Sequence, residues 1–182
     1  LGQRPFQQAS QYHDDRTLIV KTTESGIQRD RRRLQVKKIT EKERELDFEG
    51  IFMVDLNGKT SLATKDIKKP NGILVSEDGK TIFVADHEIT PNGSRKLLSF
   101  SIEQNGELSN SKVLHDFGEE RGIDGMAMGP GGNIYATAGS GKEAGIYVFE
   151  PGGNLLEVIN LPGDPTNCTF GHGKDSSTLY VT

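Results

Sequence analysis

Short apolar segments alternate with turns rich in Gly, Asn and Asp throughout residues 46–182. In one example, Ile73–Val75 is followed by a polar turn and then by a second apolar segment, Ile82–Val84. Runs of this length, bounded by turn residues, predict strands joined as hairpins. Turns such as Asn57-Gly58 suit the left-handed backbone angles that asparagine and glycine tolerate. No helical periodicity of useful length competes with this pattern, so we predict an all-β fold.

The hairpins recur as a repeat with a polar residue at its head. Each unit has an Asn or Asp, a short apolar strand, a Gly or Asp turn and a second strand rich in β-branched or aromatic residues. The units are residues 70–86, 123–137 and 166–182. Their leading residues are Asn71, Asp124 and Asn167, which are 53 and 43 residues apart. Two-strand segments separate these units, which makes four strands per repeat.

Four strands in a period of about 40–50 residues are typical of a β-propeller. We therefore predict a β-propeller of which this chain supplies about three blades. A parallel α/β fold is excluded because no helices separate the strands. A β-sandwich is the remaining alternative, but it does not account for the recurring Asn or Asp position.

The first 45 residues differ from the rest in charge. They hold eleven Lys or Arg and seven Asp or Glu, whereas the remaining residues hold eleven and nineteen. Only Thr17–Thr22 in this part is predicted as a strand. We divide the chain into a basic segment, residues 1–45, expected to be flexible or non-native, and a partial propeller, residues 46–182. The arginines within 29–33 could indicate a tail that binds nucleic acid. No aromatic residues accompany them, however, so we expect no nucleic-acid partner.

Composition excludes several classes of protein. A single cysteine, Cys168, excludes an internal disulfide and a cysteine-based zinc site, and we expect it to be a buried small apolar residue. The apolar runs are far shorter than the about 20 residues of a transmembrane helix, so we expect no membrane partner. No apolar export signal follows Leu1, so the compartment stays open, with the cytoplasm as the default expectation. The oligomeric state is not indicated.

The repeat gathers polar groups in one place. The innermost strand of each propeller blade starts at one face of the central channel, so Asn71, Asp124 and Asn167 should point towards one axis. Amide and carboxylate oxygens are the donors that Ca²⁺, Mg²⁺ or Mn²⁺ prefer. A cation held in this way can polarise a carbonyl group. The alternative is that each side chain only caps a turn by bonding its own backbone.

The motifs around these positions are similar to those of a known family. They are Lys-Pro-Asn-Gly at 69–72 with the segment 76–86, Arg-Gly-Ile-Asp-Gly-Met-Ala at 121–127, and the segments 165–171 and 179–182. Across roughly residues 44–182, in this order and spacing, the chain resembles the gluconolactonase/regucalcin family, also called the senescence marker protein family.

The resemblance implies a six-bladed propeller, longer than this chain, with one divalent cation in its channel and lactones as small-molecule substrates. It implies that Asn71 and Asp124 are metal ligands and that Asp124 is the general base that activates water. The expected cation is calcium, with zinc, magnesium or manganese as alternatives. Asn167 matches no ligand position of the family, so we expect its role to be structural.

The sequence also departs from the family. The first-blade Glu-Gly-Pro-aromatic element, whose glutamate is a ligand, is missing, and Glu49-Gly50 lies in the context of an outer strand instead. We therefore expect weaker cation binding and low activity for the chain as given. The alternative function is a non-catalytic propeller fragment that serves as a binding scaffold. The four histidines lack metal-ligand spacing, and His87 is expected near the channel rim as a surface or hydrogen-bonded side chain.

Overall fold

The computed structural model describes residues 12–13, 17–21 and 46–182, with side chains from residue 46 onward. This part of the chain consists of strands β1–β14 and three short 3-10 turns. The 3-10 turns are Pro130–Gly132, Gly141–Glu143 and Gly173–Asp175. Each sheet is antiparallel, and in each one the strands that follow one another in sequence are neighbours. The all-β prediction is therefore confirmed.

The first sheet has the order β1-β2-β3-β4. Its strands are β1 (Tyr12–His13), β2 (Thr17–Lys21), β3 (Ile51–Asp55) and β4 (Thr60–Thr64). β2 confirms the strand predicted in the basic segment and pairs with β3, with Ile19 opposite Met53. The other residues of 1–45, including Arg29–Arg33, lie outside the described residues. The division of the chain at residue 45 stays a prediction.

The second and third sheets have four strands each and correspond to the predicted repeats. The second sheet contains β5 (Pro70–Val75), β6 (Thr81–His87), β7 (Arg95–Ile102) and β8 (Leu108–Asp116). The third contains β9 (Met126–Met128), β10 (Ile134–Ala138), β11 (Gly145–Phe149) and β12 (Leu155–Asn160). β13 (Cys168–Phe170) and β14 (Leu179–Val181) form a fourth, two-stranded sheet. This is the propeller-type arrangement, with about three blades.

The inner strands β5–β7 of the second sheet are mostly buried on both faces, as blades packed side by side require, whereas β8 is largely exposed. Successive residues of a strand point to opposite faces. In β6, Ile82 and Val84 pack in a cluster with Ile51 of the first sheet. The intervening Phe83 packs in another cluster with Phe149 of the third sheet. The continuous apolar runs of the sequence therefore reflect strands that are buried on both sides.

The loops around the site described below lie at one end of the sheets. We call this end the rim; it comprises the loops 65–69, 88–94, 117–125, 139–144 and 161–167. Pro70 pairs with Asp86 at the rim end of the second sheet, so the start of β5 and the end of β6 lie there together. Antiparallel pairing within each sheet thus gathers residues far apart in sequence at one edge. In the described part of the chain, none of the helical segments has the length and apolar character needed to span a bilayer.

Candidate functional site

The structure brings Asn71 and Asp124 into direct contact across two sheets. The Asn71 amide Nδ2 donates to Asp124 Oδ1 at 2.5 Å. Asn71 is the second residue of β5, where the pairing register shifts between Pro70 and Ile73. A register shift of this kind bends a strand and re-aims its side chains. The predicted convergence of these two residues is therefore present, with Asn71 inside the strand rather than ahead of it.

The backbone of Asp124 is fixed by the strand beside it. Its N–H donates to the Thr137 carbonyl at 2.9 Å, and the Thr137 N–H donates to the Gly125 carbonyl, also at 2.9 Å. The Thr137 hydroxyl bonds both backbone groups of Gly125. On the other side, a Cβ added to Gly72 would lie 2.7 Å from the Asp124 carbonyl oxygen. Glycine at 72 thus permits close approach of β5 to the loop that carries the carboxylate.

Arg121 binds the second carboxylate oxygen. Its Nη2 donates to Asp124 Oδ2 at 2.6 Å and to the Pro165 carbonyl at 2.9 Å, and its Nη1 donates to the Gly139 carbonyl at 3.0 Å. The Arg121 and Asp124 side chains are 20% and 28% exposed, so solvent reaches the carboxylate. Arg121 was not among the residues predicted for the site. The available sequence signals were its place in the family-like motif 121–127 and its position three residues before Asp124.

His87 connects the blade of Asn71 to the loop of Asp124. It is the last residue of β6 and is buried, and its Nδ1 lies 2.9 Å from the Ile123 carbonyl oxygen. Its backbone N–H donates to the Lys69 carbonyl at 2.9 Å. His87 therefore lies at the rim and is hydrogen-bonded, as predicted, but it is buried rather than on the surface.

Asn167 behaves differently from the other two leading residues. Its side-chain Oδ1 accepts a hydrogen bond from the Cys168 N–H at 2.9 Å, so the amide caps its own turn. The side chain lies against Gly125, where an added Cβ would be 2.9 Å from Asn167 Cγ. The arrangement agrees with the structural role expected for Asn167.

Cys168 lies beside this region but has the character of a core residue. The thiol is buried and donates to the Tyr135 carbonyl at 3.3 Å. Burial raises the pKa of Cys168 to about 11, although a backbone hydrogen bond from Ala127 opposes the shift. A thiol with such a pKa is protonated near neutral pH and is a poor nucleophile or metal ligand.

The donors for a cation are few among the described residues. No three His, Cys, Asp or Glu side chains of this part of the chain lie close enough together to hold a metal ion. The two predicted ligands, Asn71 and Asp124, offer one amide and one carboxylate. Both are hard oxygen donors, and the carboxylate is accessible to solvent. These residues fit a divalent cation as part of a ligand set.

The matching family model covers most of the chain. The model for the SMP-30/Gluconolactonase/LRE-like region matches residues 30–182. A gluconolactonase of Zymomonas mobilis is 29% identical over 148 residues, which is 76% of this chain and 39% of the relative.

Solved structures share the fold. A gluconolactonase of Xanthomonas campestris has a TM-score of 0.71 at 23% identity, over 93% of this chain and 51% of the other. Regucalcin of Agrobacterium tumefaciens, described as a calcium-binding protein, has a TM-score of 0.65 at 22% identity, over 93% and 50% of the two chains. The present chain thus spans about half the length of these structures, and less of the Zymomonas relative.

Proposed function

Because the chain belongs to the SMP-30/Gluconolactonase/LRE-like family, we propose that it takes part in metal-dependent hydrolysis of lactones. Asp124 would serve as the general base, and Asn71 and Asp124 as ligands of one divalent cation. The observation that carries this proposal is the direct contact between the two side chains, which come from different blades. The gluconolactonase relatives support the substrate class, a small lactone. Since the chain spans only part of their length, the activity of a whole protein is part of the proposal.

In this proposal Asp124 acts as the base, and neighbouring groups orient it. Asp124 accepts the proton of the water that attacks the lactone carbonyl. Its oxygens are bonded to Asn71 and Arg121, but each carboxylate oxygen keeps a second lone pair as an acceptor. The Thr137 carbonyl and hydroxyl hold the backbone of Asp124 and Gly125. The carboxylate is thereby oriented before the substrate arrives, which is how positioned bases contribute to the rate.

A cation held by Asn71 and Asp124 would polarise the lactone carbonyl as a Lewis acid. We propose calcium, because a fold relative is described as calcium-binding and because amide and carboxylate oxygens suit it. Zinc, magnesium and manganese are the alternatives to be compared with it.

Hydrolysis of D-glucono-1,5-lactone by the purified chain, followed in a pH-stat, tests the proposal. Initial rates are measured with calcium, zinc, magnesium or manganese and with chelator, and a blank without protein is subtracted. Asp124→Asn keeps the shape of the side chain and removes the base, so we expect a loss of about 10²–10⁴-fold in kcat. The control is Asp116→Asn, at an exposed carboxylate that ends β8, whose Oδ1 accepts from the Gly118 N–H, a bond that an amide oxygen can keep.

The two candidate functions differ in the outcome. Cation-dependent turnover that Asp124→Asn abolishes and Asp116→Asn preserves supports the hydrolase. Turnover unaffected by Asp124→Asn contradicts the role of Asp124. No turnover above the blank with any of the four cations favours the alternative function, a non-catalytic binding scaffold.

A further inference from the structure

Arg121 connects the proposed base to two other rim loops. One guanidinium group donates to Asp124 Oδ2 at 2.6 Å, to the Pro165 carbonyl at 2.9 Å and to the Gly139 carbonyl at 3.0 Å. These partners lie in the loops before β9, before β13 and after β10. A planar guanidinium offers its donors in a fixed fork, so the three acceptors fix its plane.

The contacts determine how the carboxylate is oriented. Arg121 holds Oδ2, and Asn71 holds Oδ1 from the neighbouring blade at 2.5 Å. Rotation of the carboxylate would break at least one of these hydrogen bonds. Charge-assisted bonds from guanidinium to carboxylate are among the stronger hydrogen bonds in proteins. Arg121 therefore occupies one lone pair of Oδ2 and helps to fix the orientation of the whole carboxylate.

The same contact has an electrostatic consequence. Arginine remains protonated at every physiological pH, so its positive charge lies permanently beside the Asp124 carboxylate, 2.6 Å from Oδ2. With its side chain 20% exposed, the charge is only partly screened by water. A positive charge at this place weakens the attraction of the carboxylate for any cation.

We propose that Arg121 is a positioning residue that orients Asp124 for catalysis and lowers the affinity of the site for divalent cations. The catalytic half of this inference rests on the proposed function, whereas the affinity half concerns cation binding alone. A residue that only stabilised the fold would lower both turnover and affinity when removed. If Arg121 has the proposed role, its removal slows turnover but tightens cation binding.

Two substitutions separate charge from geometry. Arg121→Gln removes the charge, and Arg121→Lys keeps the charge but loses the fork that bridges the three acceptors. Lys96→Gln is the matched control, because it removes one positive charge from a surface ion pair with Asp116, whose atoms are 3.6 Å apart. Calcium affinity is measured by isothermal titration calorimetry, and kcat and KM are measured with D-glucono-1,5-lactone. Circular dichroism and thermal unfolding check that each variant is folded.

We expect Arg121→Gln to bind calcium about tenfold more tightly than the unaltered chain. Arg121→Lys and Lys96→Gln should stay within about twofold of it. Turnover should fall at least about tenfold in kcat in both Arg121 variants, with KM changed less, because the base is misoriented. Lys96→Gln should retain the kcat of the unaltered chain.

Weaker or unchanged calcium binding in Arg121→Gln overturns the inference, as does an unchanged kcat in Arg121→Lys. If the unaltered chain binds calcium without hydrolysing lactone, the proposed function fails, and the calorimetry alone decides whether Arg121 opposes cation binding. If neither the unaltered chain nor Arg121→Gln binds calcium, the inference is overturned. If Arg121→Gln does not fold, Arg121→Lys decides, and a kcat equal to that of the unaltered chain overturns the inference.

Discussion

A single methyl group at Gly72 should disturb the site through the backbone that carries Asp124. Gly72 is a buried residue of β5, and its φ angle is not in the left-handed region. Gly72→Ala therefore adds a Cβ without local backbone strain. The Cβ would lie 2.7 Å from the Asp124 carbonyl oxygen and 3.3 Å from the Met126 methyl group. The methyl group of Met126 can move aside, but the Asp124 carbonyl belongs to the main chain.

The distance by which Gly72→Ala must displace the Asp124 loop determines how strongly stability and turnover fall. Ordinary van der Waals contact begins at 3.4 Å, so β5 and the Asp124 loop must separate by about 0.7 Å. Overpacking of this kind costs about 1–3 kcal/mol of unfolding free energy. For a chain of this size, each kcal/mol lowers Tm by about 2–4 °C. The same shift moves Asp124 away from Asn71, and we expect kcat for lactone hydrolysis to fall at least about tenfold.

Gly152→Ala provides a matched control for Gly72→Ala. Gly152 is exposed, its φ angle is not in the left-handed region, and no atom lies within 4 Å of an added Cβ. Thermal unfolding and pH-stat kinetics of the two variants are compared under the same conditions. Gly152→Ala should change the unfolding free energy by less than about 0.5 kcal/mol. Equal Tm and equal kcat in the two variants would refute the argument from close packing at Gly72.

Two further predictions concern titratable groups whose pKa is shifted by burial, Cys168 and the partly buried His115. Because burial raises the pKa of Cys168 to about 11, a disulfide reagent at pH 8 should label it only after denaturation; rapid labelling of the folded chain would contradict this. Burial lowers the pKa of His115 below 6.5, against the opposing charge of Asp116. The unfolded chain then binds the proton more tightly, so this contribution to stability is present above pH 6.5 and is lost as pH falls through the two pKa values. His115→Phe keeps an aromatic ring against Phe117 and Phe149. Between pH 7.5 and 5, the urea midpoint of this variant should fall less than that of the unaltered chain. An equal fall would contradict the contribution assigned to His115.

Local pattern was sufficient for most of the architecture. The apolar runs at 73–75 and 82–84 and the turn between them predicted the hairpin that became β5 and β6. Such hairpins depend on contacts between residues close in sequence, so composition and turn chemistry specify them. The strand at 17–21 was also predicted, but its partner was not. Its pairing with β3 joins segments separated by about thirty residues, and no local signal specifies that choice.

The candidate site was only half visible before the fold was known. Asn71 and Asp124 could be singled out because each stands at the head of a repeat, and repeated units place equivalent residues at equivalent positions. Asn167 occupies the same position in its unit, yet its amide bonds the Cys168 N–H instead of reaching the other two. A repeat therefore indicates where a side chain begins, whereas its neighbours decide where the side chain points.

The sequence alone determined the strands, their turns and the recurring polar position. These depend on apolar segments that form strands and on residues whose backbone angles suit turns. Only the tertiary structure showed that Arg121 binds Asp124 and that His87 bonds Ile123. Most partners of these two side chains are backbone carbonyls, which every residue possesses and which leave no mark on a sequence. Packing of successive blades brings these carbonyls to the rim, and that packing determines the surroundings of the carboxylate.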